Sequence, residues 1–261
     1  MSKSVENQAN GEWFREWFDE LYLQVYAHRN REEADRLVEW MGVTFASEAE
    51  RGVADLACGY GRHARAMAER GWEVTGLDLS MPLLRRALSE QSERTARMVR
   101  PRYVQGDLRR LPLRTSAFGL AVNLFTSFGY FSSDSDHAAT LFEMARILDP
   151  DGILLLDLAN PVHVRANLVP EDRTVLNNME VLQQRSLEEN GRRVVKNMEI
   201  GLPGGTIRKV RESVRLFESE EIEAMIGQAG LQVEGVIGGY HGQPFDPRES
   251  SRMIVWARKH N

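Results

Sequence analysis

Residues 53–63 read VADLACGYGRH, and this stretch decides how the chain folds. Val53 to Leu56 form a short, mostly apolar run typical of a buried strand, and a helical pattern begins at Arg62. Gly59 and Gly61 stand at the bend between them. Glycine lets backbone N–H groups come close to a ligand, and the N-terminus of a helix favours anionic groups. The stretch therefore predicts a strand-to-helix loop that holds a ligand.

Strand and helix patterns alternate along the chain from Gly52 onward. A strand at 72–77 is followed by a helix that Ser80 caps, and a helix at 137–148 precedes an Asp-Pro-Asp-Gly turn at 149–152. Further strands are expected at 103–105, 120–125, 153–156, 231–236 and 253–257. This order is typical of an α/β fold with a doubly wound parallel sheet.

The alternation stops between residues 160 and 217. Strand-like stretches separated by Asn-Gly and Pro-Gly-Gly turns predict an inserted antiparallel hairpin or three-stranded ribbon. We therefore expect an N-terminal helical cap over residues 1–50 and a ligand-binding domain over 51–160 and 218–261. A β-rich insertion over 161–217 would act as a lid or a dimer surface.

Two carboxylates follow the next strands of the predicted sheet. Asp78 closes the second strand 19 residues after Gly59, where it can accept both hydroxyls of a ribose. Asp107 follows the third strand, where its carboxylate can take an adenine amino group. The glycines alone leave the ligand open, because Gly59-x-Gly61-x-x-Ala64 also fits a tolerant dinucleotide fingerprint.

Four segments together resemble the class I S-adenosylmethionine-dependent methyltransferases. They read DLACGYG at 55–61, with Ala57 in place of the first glycine, GLDLS at 76–80, GDL at 106–108 and NLFTSFGYF at 123–131. The resemblance runs from about residue 52 to residue 157. It implies a Rossmann-like, seven-stranded sheet whose last strand is antiparallel. Gly119 departs from the pattern, since many members carry an acidic residue there.

The resemblance also implies a set of cofactor-binding residues. Asp55 and the loop backbone would hold the methionine amino and carboxylate groups, Asp78 the ribose, Asp107 the adenine, and Asn123 would lie near the sulfonium. The full set is Asp55, Ala57, Cys58, Gly59, Gly61, Asp78, Leu79, Asp107, Leu108, Asn123, Leu124, Tyr22 and Tyr26.

The aromatic helix predicted at residues 13–25 has two interpretations. It packs against the sheet edge, as apolar helix faces usually do, or it covers the cofactor. In the second case Tyr22 and Tyr26 would offer π faces to the sulfonium.

Methyl transfer needs few side chains, because an acceptor nucleophile held in line with the methyl group is sufficient. A general base is required only for a nucleophile that arrives protonated. His241, in the loop between the last two strands, is the preferred candidate, and Tyr130 is the second. His137 and His163 are weaker candidates.

Composition excludes several classes of function. The net charge of −5 argues against sequence-independent binding to nucleic acid. Cys58 is the single cysteine, so no intrachain disulfide or zinc cluster is expected, and no metal site is predicted. A polar N-terminus and the lack of long apolar runs predict a cytoplasmic protein without membrane contact.

The sequence thus favours a methyltransferase that modifies nitrogen or oxygen of a small molecule, in a chain that could form a homodimer. Asn123-Leu124-Phe125 lacks the paired prolines of enzymes that methylate base amino groups in nucleic acids. An NAD-dependent oxidoreductase and a non-catalytic, cofactor-binding interaction protein are the alternatives. The acceptor itself cannot be derived from the sequence.

Overall fold

The computed structural model describes residues 12–27, 31–92 and 99–260. Residues 1–11 of the predicted cap lie outside this part of the chain. Within the described residues, the first strand follows four helices, namely α1 (Phe14–Trp17), α2 (Glu20–Val25), α3 (Arg31–Thr44) and α4 (Ala46–Ala49). The predicted single aromatic helix is divided in two, because the Asp19 side chain accepts hydrogen bonds from the N–H groups of Leu21 and Tyr22 and caps α2.

The main sheet has seven strands in the order β10-β11-β5-β4-β1-β2-β3. Its strands are β1 (Val53–Leu56), β2 (Val74–Asp78), β3 (Arg102–Gln105), β4 (Phe118–Asn123), β5 (Leu148–Ala159), β10 (Leu231–Ile237) and β11 (Arg252–Lys259). Strands β1 to β5 pair in parallel, whereas β11 runs antiparallel to both β5 and β10. The predicted doubly wound sheet with an antiparallel last strand is confirmed.

Helices cover both faces of this sheet. They include α5 (Arg62–Glu69), α6 (Met81–Ser92), α7 (Asp134–Ile147) and α9 (Ser219–Gln228), whereas α8 (Pro161–Asn167) directly follows β5. Alternate residues of β5 enter opposite cores: Leu154 packs with the side of α7 and α9, and Leu155 packs with the side of α3 and α5. This alternation buries both faces, as parallel sheets require.

The predicted turn at residues 149–152 differs from the structure. These residues lie inside β5, which begins at Leu148 and pairs there with Phe118. The register then shifts, and Asp151 takes a left-handed φ of 60°. The turn signal therefore marks an irregularity within one strand.

The insertion is a separate antiparallel sheet in the order β6-β7-β8-β9. Its strands are β6 (Glu171–Leu176), β7 (Met179–Glu188), β8 (Arg193–Gly201) and β9 (Ile207–Arg215). The inserted antiparallel sheet is thus confirmed, with one strand more than predicted. Strand β6 is an edge strand of mostly polar residues, so it carries little hydrophobic signal.

The insertion and the N-terminal helices share a hydrophobic core. Trp13, Phe14 and Trp17 pack with Met198 and Ile200 of β8. Within the described residues, no helix is long and apolar enough to cross a membrane.

Candidate active site

A cavity opens where the parallel strands end and the N-terminal helices pass over them. The loops after β1, β2, β3 and β4 supply its floor, and α1 and α2 supply its cover. Its lining includes Ala57, Cys58, Gly59, Asp78, Leu79, Asp107, Leu108, Leu124, Tyr130 and Tyr22 from the predicted set. The carboxyl ends of strands in open α/β sheets are the usual place for ligands.

The loop after β1 turns through three left-handed residues. Ala57, Gly59 and Gly61 have φ values of 61°, 58° and 76°. A Cβ atom on Gly61 would lie 2.2 Å from the Tyr103 hydroxyl, so only glycine fits there. Ala57 adopts the same backbone region with a side chain, which costs about 1–2 kcal/mol.

Cys58 lies at the centre of this loop and is buried. Its N–H donates to the Leu77 carbonyl at 2.9 Å, which ties the loop to the end of β2. Burial, followed by the nearby carboxylates of Asp55 and Asp78, raises the pKa of the thiol well above its usual value.

Asp78 fastens the loops after β1 and β2 to each other. Its carboxylate accepts the Gly59 N–H at 2.8 Å through Oδ2 and the Ser80 N–H at 2.8 Å through Oδ1. Burial raises its pKa despite these hydrogen bonds. Each carboxylate oxygen can accept a further bond, so Asp78 can still receive hydroxyl donors from the cavity.

Asp55 is buried at the end of β1. Burial, and then repulsion by the Asp78 carboxylate, raise its pKa to about 7. Among the described residues, Asp55 Oδ2 and Asn123 Oδ1 are buried acceptors without a hydrogen-bond partner. Buried acceptors of this kind call for a donor, and a cationic donor would also relieve the repulsion between the two carboxylates.

Asp107 is engaged by arginines. Oδ1 accepts from the N–H and Nε of Arg109, both at 3.0 Å, and Oδ2 accepts from Arg109 Nη2 at 2.7 Å and Arg15 Nη2 at 3.0 Å. Burial raises its pKa, but the Arg109 hydrogen bonds outweigh burial and hold it below the usual value. A carboxylate has about four acceptor positions, so an adenine amino group would have to displace one of these donors.

The loop after β4 forms the opposite wall. Asn123 donates through Nδ2 to the Leu56 carbonyl at 2.8 Å, which joins β4 to β1 beneath the cavity. Leu124, Phe125 and Ser127 line the wall itself. Asn123 and Asp55 lie at its base and do not belong to the lining.

The N-terminal helices cover the cavity with Phe14, Phe18 and Tyr22. Several contacts hold them down: Trp17 Nε1 donates to Glu212 at 2.6 Å, Asp19 pairs with Arg208 at 2.6 Å, and Ser80 Oγ donates to the Phe18 carbonyl. The segment therefore packs on the insertion, and not on the edge of the main sheet as the first interpretation expected, and it lies over the cavity.

Tyr26 lies away from the lining. Its hydroxyl donates to Glu212 at 2.8 Å and accepts from Lys196. The structure therefore brings Tyr22, but not Tyr26, to the cavity.

The two candidate bases have different positions. Tyr130 lies in the lining, with its ring 4.8 Å from Trp13 and stacked on Phe18 at 5.7 Å. His241 is exposed and does not belong to the described lining. His137 is fully buried among Phe128, Phe131 and Phe217, and His163 lies on α8.

Three features of the wall were missed from the sequence. Arg62 and His63, at the start of α5, face the cavity, and Arg62 lies over the Phe125 ring at 4.9 Å. Burial, followed by the charge of Arg62, lowers the pKa of His63 to about 3. Their position directly after Gly61, at the start of the helix that follows the glycine loop, could have indicated that they face the cavity. Asp157, at the end of β5, could have been found by the same strand-end rule as Asp78.

Comparison with known proteins agrees with this geometry. Residues 53–152 match the family model described as a methyltransferase domain. A putative methyltransferase, YqeM, of Bacillus subtilis (strain 168) is 25% identical over 249 residues, covering 93% of this chain and 96% of that one. The chain is a class I S-adenosylmethionine-dependent methyltransferase.

Two further relatives of the methyltransferase are informative. The dTDP-3-amino-3,4,6-trideoxy-alpha-D-glucopyranose N,N-dimethyltransferase of Streptomyces venezuelae is 28% identical over 198 residues, covering 72% of this chain and 78% of that one. The structure of S-adenosylmethionine-bound CalS10, an amino pentose methyltransferase from Micromonospora echinaspora, matches with a TM-score of 0.65 at 21% identity. It covers 92% of this chain and 97% of that one.

The cofactor of the methyltransferase is S-adenosylmethionine, and the cavity suits it chemically. The cofactor carries an ammonium group, a sulfonium and two ribose hydroxyls. Asp55 Oδ2 offers a buried acceptor without a partner among the described residues, and Asp78 retains acceptor capacity at the cavity surface. The NAD-dependent alternative is therefore set aside.

Proposed function

We propose that this methyltransferase transfers methyl to a nitrogen, or else an oxygen, of a small molecule. The cover over the cavity carries this proposal, because Phe14, Phe18 and Tyr22 of the N-terminal segment line the cavity with aromatic rings. A space enclosed by aromatic side chains suits a small, partly apolar acceptor better than a macromolecule.

Cofactor binding is proposed to use the strand-end residues. Asp55 and the backbone of residues 57–61 would hold the methionine end, and Asp78 and Leu79 the ribose. Leu108 would contact the adenine, together with Asp107 once a donor on its carboxylate is displaced. Leu124 and Tyr22 would lie beside the sulfonium, with Asn123 beneath it at the base of the cavity. When bound, the cofactor supplies an electrophilic methyl group, and these residues fix its direction toward the acceptor.

The character of the lining supports an amine acceptor in particular. His63 is the histidine among the described lining residues, and its pKa of about 3 makes it a weak base at neutral pH. A neutral amine already carries a free electron pair and needs no base, whereas a hydroxyl does. The N,N-dimethyltransferase activity in the name of the Streptomyces venezuelae relative points the same way.

A methyl-transfer screen tests the proposal. The protein is incubated with S-adenosylmethionine labelled with tritium in the methyl group and with panels of amines, phenols and carboxylic acids. We expect transfer to amines and its loss in Asp78→Asn. Transfer confined to acids or to a macromolecular fraction would contradict the small-molecule amine assignment.

His241 and Tyr130 stay predictions as catalytic residues. We propose that the Tyr130 hydroxyl orients the acceptor, since this residue lines the cavity. For His241, unchanged turnover of His241→Ala on a true acceptor would remove it from the mechanism.

The insertion is proposed to support the cover that α1 and α2 form over the cavity. Met179, Val181 and Val210 share a hydrophobic cluster with Trp13 and Phe14. The predicted domain limits, the homodimer and the cytoplasmic location stay predictions. Light scattering coupled to gel filtration would test the homodimer, and fractionation of the native host would test the location.

A further inference from the structure

The wall formed by the loop after β4 has an unusual backbone. Phe125 and Thr126 have φ values of 63° and 59°. A bulky or β-branched side chain is strongly disfavoured in this left-handed region. Such a conformation persists only where the surroundings impose it. Phe125 faces the cavity, so whatever imposes it also shapes the site.

Asp157 of β5 supplies the restraint. Its Oδ2 accepts the Phe125 N–H at 2.7 Å, and its backbone carbonyl accepts the Thr126 N–H at 3.0 Å. The Tyr240 hydroxyl donates to the same Oδ2 at 2.9 Å. Asp157 is fully buried, so these hydrogen bonds form away from water.

Arg252 of β11 completes the network. Its Nε donates to Asp157 Oδ1 at 2.7 Å, and its Nη2 donates to the Thr126 hydroxyl at 2.7 Å. The arginine therefore neutralises the buried carboxylate and fixes the second left-handed residue directly. The Asp157 carboxylate thus contacts both an arginine and the backbone of the cavity wall, whereas an ion pair that only stabilised the fold would not require the hydrogen bond from the Phe125 N–H.

We propose that Asp157 is a positioning residue of the cofactor cavity, which acts by holding Phe125 in its left-handed conformation. The Phe125 ring then lies against the cavity, with the Arg62 guanidinium 4.9 Å from its centroid. Tyr240 and Arg252 support Asp157 and do not line the cavity among the described residues.

A double-mutant cycle tests the proposal without knowledge of the acceptor. The dissociation constant of S-adenosylhomocysteine is measured by calorimetry for Asp157→Asn, Phe125→Ala and the double variant. We expect each single change to weaken binding about 10-fold, and the double variant to be no weaker than about 15-fold, because both changes remove the same interaction. Losses that multiply to about 100-fold, or unchanged binding in Asp157→Asn, would overturn the proposal.

Adding Thr126→Gly to Asp157→Asn distinguishes a positioning role of Asp157 from a general contribution to protein stability. Thr126→Gly removes the side chain that disfavours the left-handed region, so we expect it to regain about 3-fold in affinity when added to Asp157→Asn. Alone, it should change binding by less than about 2-fold. No rescue, with melting temperatures that simply add, would assign Asp157 to stability and overturn the proposal.

Tyr240→Phe replaces Asp157→Asn in the double-mutant cycle if Asp157→Asn does not fold. It removes one hydrogen bond to Oδ2, so we expect a loss of about 3-fold that disappears in the Phe125→Ala background. An equal loss in both backgrounds would contradict the proposal.

Asp172→Asn is the matched control for these variants. It breaks an ion pair with Arg185 on the insertion, and we expect binding to be unchanged. If the unmodified protein did not bind S-adenosylhomocysteine, the proposed cofactor binding would be wrong, and the result would not bear on the role of Asp157.

Discussion

The loops after β1 and β4 form opposite walls of one cavity but obtain their shapes differently. The first uses Gly59 and Gly61 at two of its three left-handed positions. The second places Phe125 and Thr126 in the same backbone region and relies on Asp157, more than 30 residues along the chain. The first loop therefore avoids most of its backbone strain with glycines of its own, whereas the second loop keeps a strained backbone and depends on a distant carboxylate.

Gly61→Ala should have the largest effect, because it replaces one of the two glycines on which the first loop relies. The added Cβ would lie 2.2 Å from the Tyr103 hydroxyl in a left-handed residue. Strain and overpacking together predict a loss of about 3 kcal/mol in the free energy of unfolding. Urea denaturation measures this loss. Tyr103→Phe removes the clashing oxygen and should restore part of it, and a loss below about 1 kcal/mol would show that the loop adjusts.

Asp78→Asn tests the carboxylate that joins the first loop to β2. The amide keeps the size of the side chain but presents a donor to one of two N–H groups and loses the charge. We expect S-adenosylhomocysteine to bind about 30-fold more weakly, within the range for hydrogen bonds to a charged group. Calorimetry measures this change, and Asp172→Asn is the control. Unchanged affinity would place the ribose elsewhere.

The pH dependence of binding follows from Asp55. Its pKa of about 7 means that the carboxylate becomes protonated as the pH falls through 7. A cationic ammonium group favours the ionised form, so affinity for S-adenosylmethionine should fall below pH 7, by up to about tenfold per unit. Asp55→Asn should flatten the profile between pH 5.5 and 8.5. A wild-type profile that is already flat would exclude Asp55 as the ammonium partner.

Ala57→Gly should have the smallest effect and a stabilising sign. The residue has a φ of 61°, where glycine is unstrained. Relief of strain, reduced by the greater freedom of the unfolded chain, predicts a gain of about 0.5 kcal/mol. Ala54→Gly, in the middle of β1, is the control and should destabilise the protein. A loss in Ala57→Gly would mean that the methyl group packs usefully against the cavity.

Most of the fold was predictable because it follows from repeating patterns. Apolar strands followed by amphipathic helices predicted the sheet, the strand-end rule predicted Asp78 and Asp107, and the family resemblance predicted Asp55. Gly119 shows where a family pattern fails: a Cβ there would lie 2.2 Å from the Glu48 carbonyl, so helix α4 leaves no room for the acidic side chain that the resemblance implies at this position. That contact is tertiary and leaves no local signal.

The candidate site was predictable only in part for the same reason. The loop that carries His241 was expected on the cofactor side of the sheet, but helical spacing and loop order do not fix where one side chain points. Tyr22 and Tyr26 lie one helical turn apart, yet α2 ends at Val25 and Tyr26 turns toward Lys196. The strand-end position of Asp157 was visible in the sequence, but its contact with Phe125 was not, because its other partners Tyr240 and Arg252 lie more than 80 residues away.

Cys58 gives the methyltransferase a built-in reporter. It is the single thiol in 261 residues, and it belongs to the lining of the cavity. Only the thiolate reacts with alkylating or disulfide reagents, and burial suppresses that form here. Labelling of the unmodified protein therefore times the opening of this one loop, and bound cofactor should slow the labelling.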